Sequence, residues 1–154
     1  MICASWNIRG FSLALKQNGV RHVIKEHRVD VLAILDSKVN VPKLDWIMKV
    51  KFPGWKQVNN FDQHAAGRIC VIWNPAKVDL VSLGGSSQVI HCNVTCLVTS
   101  KSVCMSFIYG LHSIVARRPL WNNLKDFGLR CSMPWILLGD FNSILSAEER
   151  INGA

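Results

Sequence analysis

Long apolar runs are missing from this sequence. Polar residues interrupt every hydrophobic stretch before it reaches the roughly 20 residues needed to span a bilayer. The opening, MICASWNIRG, has neither the basic n-region nor the long apolar h-region of a secretory signal. A nuclear or cytoplasmic protein is therefore expected, not secreted and without a membrane partner. No internal repeat, low-complexity tract or linker divides the 154 residues, a length that suits one domain. Among the six cysteines there is no C-x-x-C pair. Cys92 and Cys96 instead alternate with Ile90, Val94 and Val98, the pattern of buried, reduced thiols on a strand face rather than of zinc ligands or disulfides. The sequon Asn93-Val94-Thr95 would matter only in a secreted protein. Acidic residues are scarce, 10 Asp+Glu against 18 Lys+Arg, for a formal charge of +8. That excess favours polyanionic partners, although the cations are scattered from Arg9 to Arg150 and form no tract.

Apolar residues are plentiful, at 49% with positive mean hydropathy, which excludes a disordered chain. Ile2–Ile8 reads as a strand broken by Arg9-Gly10. Lys16–His27 reads as a helix, with Val20, Val23, Ile24 and His27 at helical spacing and Gly19 weakening its first turn. Val31–Leu35 is a continuous apolar run suited to a strand covered on both faces. GRICVIWNP is a further strand closed by an Asn-Pro turn. Val89–Thr99 and Ser102–Tyr109 form a predicted hairpin, with Ile90, Cys92, Val94, Cys96 and Val98 on one face and His91, Asn93 and Thr95 on the other. VARRPLWNNLKDFG reads as a short amphipathic helix, with Leu120, Trp121, Leu124 and Phe127 inward and Gly128 as its stop. Trp135–Leu138 is the last strand. Strands with interspersed helices, not strictly alternating, predict an α+β layered sandwich.

Four of these strands run out into polar groups: Asn7, Asp36, Tyr109, and the pair Asp140 and Asn142. In extended chain, residues two apart share a face, so Asp140 and Asn142 are expected to point together while Phe141 turns to the core. Carboxylates with amides and a phenol make hard-oxygen chemistry suited to Mg²⁺. Each also has a plainer explanation. Asn7 could start a turn, Asp36 could be a polar terminus, Tyr109 a core aromatic with a wet hydroxyl, and GDFN an Asx turn. No thiolate–imidazole or Ser–His pair stands out as a rival.

At these residues the chain resembles the endonuclease/exonuclease/phosphatase superfamily, and in particular the endonuclease domain of plant-type LINE (non-LTR) retrotransposons. The likeness rests on SWNIRG, KQNGVRHVIKEHRVDVLAILDSK, GRICVIWNP, FIYG, RRPLWNNL and ILLGDFNSILSAEER. It implies a four-layer α/β sandwich over residues 1–154, two packed mixed β-sheets flanked by helices, as a single partial domain incomplete at its C-terminus. It further implies Mg²⁺- (or Mn²⁺-) assisted hydrolysis of a DNA phosphodiester, nicking one strand. Asn7 would contact the phosphate and support the metal, and Asp36 would stand where the family carries a metal-binding Glu. Tyr109 would brace the phosphate, Asp140 would orient or deprotonate water, and Asn142 would position water and phosphate. Arg9, Lys38 and Arg68 are the candidate DNA contacts. In a full-length element a downstream reverse transcriptase would be the partner. The family's terminal Ser-Asp-His motif has no counterpart, and no histidine takes its role by motif; His112, three residues after Tyr109, comes nearest the site but reads more simply as an ordinary loop histidine. Activity is therefore expected to be impaired or lost; the alternative is a non-catalytic remnant with weak nucleic-acid binding. A phosphatase or phospholipid phosphodiesterase of the same superfamily ranks lower.

Overall fold

The structure, a computed structural model, describes residues 1–64 and 68–144. The elements follow in order as β1 (Cys3–Asn7), α1 (Ala14–Glu26), β2 (Val31–Leu35), α2 (Val41–Lys51), β3 (Lys56–Asn59) and β4 (Ile69–Trp73). Then come β5 (Val78–Ser86), β6 (Val89–Cys96), β7 (Lys101–Tyr109), α3 (Ile114–Arg130) and β8 (Trp135–Asp140). One sheet has the order β1-β2-β4-β3 and the other β5-β6-β7-β8. Both are mixed: β1 runs parallel to β2, β7 runs parallel to β8, and the remaining pairs are antiparallel.

Three cores stack these sheets into four layers. Alternation along β2 sends Leu32 and Ile34 outward, where they pack with Val20 of α1 and with Leu44 and Ile47 of α2. Val31, Ala33 and Leu35 point the other way, into an inter-sheet core with Val71, Val78, Ile90, Cys92 and Phe107. This is why β2 and β4 are apolar at every position and fully buried: both of their faces are covered. The third core lies under α3, where Val89 and Ile108 meet Leu120 and Leu124. The resulting α+β sandwich has the architecture expected from the sequence.

Several local expectations were revised. Helix α2, and strands β3 and β5, have no place in the pattern read from sequence. Yet Asn40 caps α2 by accepting a hydrogen bond from the Lys43 N–H at 3.0 Å, with Pro42 in the first turn, a start signal of the usual kind. Gly128 does not stop α3, which runs on to Arg130. A Cβ at Gly128 would come within 2.8 Å of the Trp135 ring, so this glycine serves the packing of the helix on β8. Trp121 is 41% exposed rather than inward, stacking on Phe141 at 6.1 Å.

His91 departs most from expectation. Its face of β6 is not solvated but covered by α3, and His91 is buried. Its Nδ1 lies 2.6 Å from Ser106 Oγ, its Nε2 lies 2.7 Å from Asn123 Oδ1, and its ring stacks on Phe127 at 3.9 Å. The Trp135 indole N–H donates to Ser106 Oγ at 2.7 Å. Because Asn123 Oδ1 only accepts, Nε2 must carry the proton. The donors then run in one direction: Trp135 to Ser106, Ser106 to His91 Nδ1, His91 Nε2 to Asn123. Burial foremost lowers the His91 pKa below its ordinary value; the Asn123 bond opposes this and the Arg130 charge adds to it.

At the end of β8, Gly139 has φ +153°, and a side chain there would collide with the Ile108 carbonyl oxygen. This close approach sets the position of Asp140, the next residue.

Two outcomes follow. Above the ordinary histidine pKa of about 6.5, His91 is neutral in both folded and unfolded chains. As pH falls below it, the unfolded chain takes the proton first. Urea-unfolding free energy should therefore drop as pH falls below about 6.5, by up to ~1.4 kcal/mol per pH unit, and His91→Gln should remove most of that slope. Gly139→Ala should lower the unfolding free energy by about 2 kcal/mol or more, read as an earlier urea midpoint at unchanged slope.

Candidate active site

The edge strands β1 and β8 bring their ends to one rim, where Asn7 and Asp140 meet. The Asn7 amide nitrogen donates to Asp140 Oδ2 at 2.7 Å across 133 residues of sequence. Asp140 Oδ1 accepts the backbone N–H of Asn142 at 2.9 Å, and the Asn142 amide donates to the Gly110 carbonyl at 2.6 Å. The GDFN segment is thus an Asx turn and part of the site at once. Asn142 has φ +47°, so it does not reach the cleft by strand alternation. The turn, together with its bond to Gly110, carries it there.

The loops beyond the strands are joined to each other. After β1, the N–H groups of Ile8, Gly10 and Phe11 donate to the carbonyls of Leu35, Asp36 and Ser37 at 2.7–3.1 Å. Ser37 N–H donates in turn to the Arg68 carbonyl at 3.3 Å. On the other sheet, the Gly110 N–H donates to the Asp140 carbonyl at 2.8 Å, and a Cβ at Gly110 would strike the Phe141 carbonyl oxygen. Arg9, Asp36, Lys38 and Asn142 all hold positive φ near +50°, a conformation uncommon outside glycine. Its concentration in these loops marks a shape imposed by the surrounding contacts.

Asp36 is buried at 5% exposure, and its carboxylate lies 3.1 Å from Lys38 Nζ. Tyr109 is buried, with the Arg68 guanidinium 5.5 Å from its ring centroid. Burial first, then the negative charges of Asp36 and Asp140, raise the Tyr109 pKa; Arg68 and Lys38 pull against them. The phenol therefore stays protonated near neutrality and is available as a donor. The Lys38–Asp36 ion pair, the Ser37–Arg68 backbone bond, the Arg68 guanidinium over the Tyr109 ring and the pairing of Tyr109 with Asp140 across β7 and β8 gather these residues in one neighbourhood. Arg9 is exposed in the loop after β1, next to Gly10, whose N–H bonds to the Asp36 carbonyl.

An open cleft of about 1130 Å³ adjoins this cluster, with Asn7, Asp140, Asn142, His112, Arg117 and Trp121 among its lining. Asp36 and Tyr109 do not line it. Arg117, Lys16 and Gln17 were missed by sequence reasoning. Buried Arg117 donates to the carbonyls of Leu111 and His112, both at 2.7 Å, fixing the loop that brings His112 to the cleft. Lys16 Nζ donates to the carbonyls of Ile8 and Arg9 at 2.7 and 2.6 Å, and Gln17 Nε2 donates to the Phe11 carbonyl at 3.0 Å. Their charge or polarity on otherwise amphipathic helices was the available signal.

A hard divalent cation fits the donor set. Among the described residues Asn7 Oδ1 is buried without a hydrogen-bond partner, and the nearby Asp36 and Asp140 side chains offer carboxylate oxygens. No group of three or more His, Cys, Asp or Glu gathers among the described residues.

No curated protein matches the chain, but solved structures do. The endonuclease domain of TRAS1, a telomere-specific non-LTR retrotransposon, superposes with TM-score 0.70 at 9% identity, covering 93% of this chain and 61% of that one. TDP2 from D. rerio in complex with a single-stranded DNA product gives 0.64 at 12%, covering 92% and 60%. A mannosyl-6-phosphatase from Bacteroides thetaiotaomicron gives 0.62 at 17%, covering 91% and 64%. At such identities the likeness concerns the fold, and the chain spans about three fifths of the length of these structures. Residues 4–153 match the Endonuclease/Exonuclease/phosphatase family, and the chain belongs to it.

Proposed function

We propose that this site hydrolyses DNA phosphodiesters with the help of Mg²⁺ or Mn²⁺, nicking one strand. The observation that carries the reading is the Asn7–Asp140 pair: the amide nitrogen orients the carboxylate while the amide oxygen stays unpartnered. Asp140 has each oxygen anchored by one donor and keeps a further lone pair on each to orient water or accept its proton. Asn142 positions that water and the phosphate, and the protonated Tyr109 phenol braces a phosphate oxygen. Asn7 and Asp36 would hold the metal, Asn7 also touching the phosphate. When bound, the cation polarises the phosphoryl oxygen and stabilises the leaving oxygen. Arg9, Lys38 and Arg68 meet the DNA backbone, in keeping with the net charge of +8.

The SWNIRG and LLGDFN motifs support a LINE-type, plant-like endonuclease within this family, working beside a reverse transcriptase in a longer element and in the nucleus or cytoplasm. The family also holds phosphatases by name; the basic charge favours a polyanion over a small phosphate ester.

No Ser-Asp-His motif occurs in the sequence, and a missing acid–base group typically lowers the rate ~10²–10⁴-fold. Nicking of supercoiled plasmid by these residues alone should be slow, EDTA-sensitive, and reduced at least ~10²-fold further by Asp140→Ala. Salt-sensitive DNA binding without any EDTA-sensitive nicking would replace this reading with the non-catalytic one. Asp36→Glu, restoring the family's longer carboxylate, should tighten Mn²⁺ binding several-fold by electron paramagnetic resonance titration, whereas unchanged affinity would remove Asp36 from the ligand set.

A further inference from the structure

The six free cysteines differ in exposure and surroundings. Cys70 and Cys92 lie fully buried in separate cores; burial drives the Cys70 thiol pKa strongly upward and pushes that of Cys92 to about 12. Cys3 is pushed up to about 11, chiefly by burial and then by the Asp30 charge. Such thiols carry little thiolate near neutral pH, whereas hydrogen bonding to Thr99 foremost lowers the pKa of Cys96.

Cys104 is pushed up as well, by burial first and then by Cys131, but a second, partly exposed cysteine shares its cavity. Cys104 sits on β7, its backbone N–H donating to the Pro134 carbonyl at 2.9 Å. Cys131 caps the C-terminal end of α3, its backbone N–H donating to the Phe127 carbonyl at 2.9 Å. Both side chains line one surface cavity of about 270 Å³ with Phe127, Arg130 and Met133, where the Cys131 thiol donates to the Met133 carbonyl at 3.6 Å. Cys104 is buried, whereas Cys131 is partly exposed. An attacking thiol is thus accessible and a resolving thiol waits behind it. The Arg130 guanidinium at the cavity wall favours anionic oxidants.

We propose that Cys104 and Cys131 form an oxidant-made intrachain disulfide that staples the end of α3 to β7, an addressable redox modification site outside the candidate active site. The oxidant is a small disulfide such as glutathione disulfide. The Cys131 thiolate attacks one of its sulfurs, breaking the S–S bond and releasing one glutathione thiolate. The Cys104 thiolate then attacks the Cys131 sulfur of the mixed disulfide and releases the second glutathione. The protein loses two electrons and two protons; the glutathione disulfide gains both. Because α3 also carries Arg117 and Trp121 to the cleft, the staple fixes the helix that forms one cleft wall.

The test is incubation of the folded chain with glutathione disulfide at about pH 8.5, where more thiolate is present, followed by intact mass and peptide mapping. The expected product is about 2 Da lighter, carries one Cys104–Cys131 cross-link and reverts with dithiothreitol. Closing a loop of roughly 30 residues should raise Tm by about 5–10 °C. Cys131→Ser should yield no cross-link, and Cys104→Ser should stop at a glutathione adduct on Cys131. A wild-type chain that stays unmodified, retains the adduct, or links other cysteines would overturn the proposal.

Discussion

One hydrogen bond ties the two halves of the molecule together at the place where they could do chemistry. Asn7 ends an edge strand of one sheet and Asp140 ends an edge strand of the other, and 2.7 Å separates amide nitrogen from carboxylate oxygen. An asparagine is the residue type that can make this contact and still present an acceptor beside it. Aspartate would set two negative charges against each other, and alanine would leave the Asp140 oxygen without its donor, at a cost of about 1–3 kcal/mol. The joined loops beyond β1 and β2, and the Gly110–Asp140 bond beyond β7 and β8, hold the two sides of that contact in place.

The third core layer serves the same end from further away. Gln88 is buried and fully engaged: its amide nitrogen donates to Ala116 O at 2.9 Å, its amide oxygen accepts from Leu111 N–H at 2.8 Å, and its carbonyl accepts from Tyr109 N–H at 3.0 Å. With the Trp135–Ser106–His91–Asn123 series, it gives α3 a defined seat on its sheet. An apolar interface alone would tolerate sliding. Satisfied buried polar groups accept one arrangement, because any shift strands a donor.

Much of this was legible in the order of residues. The strands that end in Asn7, Asp36, Tyr109 and Asp140 are apolar enough, and bounded sharply enough, to be read directly; their convergence needed the superfamily resemblance. Illegible were features whose cause lies elsewhere in the chain. His91 alternates as a solvent-facing residue does, and only the arrival of α3 buries it. Gly128 looks like a stop, and only the Trp135 ring shows that it is a packing position. Strand β3, Lys56–Asn59, is short and polar, and exists because β4 offers it an edge. Arg117 reads as one more cation of a helix face until its guanidinium is seen holding two carbonyls.

The separation of 133 residues between Asn7 and Asp140 has a consequence for a nascent chain. At roughly 5–20 residues per second, about 7–27 seconds elapse on the ribosome between the emergence of the first partner and the second. The sheet of β1 to β4 can pair during that interval, with β1 waiting at its margin. The cleft can close only after β8 has docked, so a partly synthesised chain presents Asn7 and Asp36 well before it presents Asp140 and Asn142.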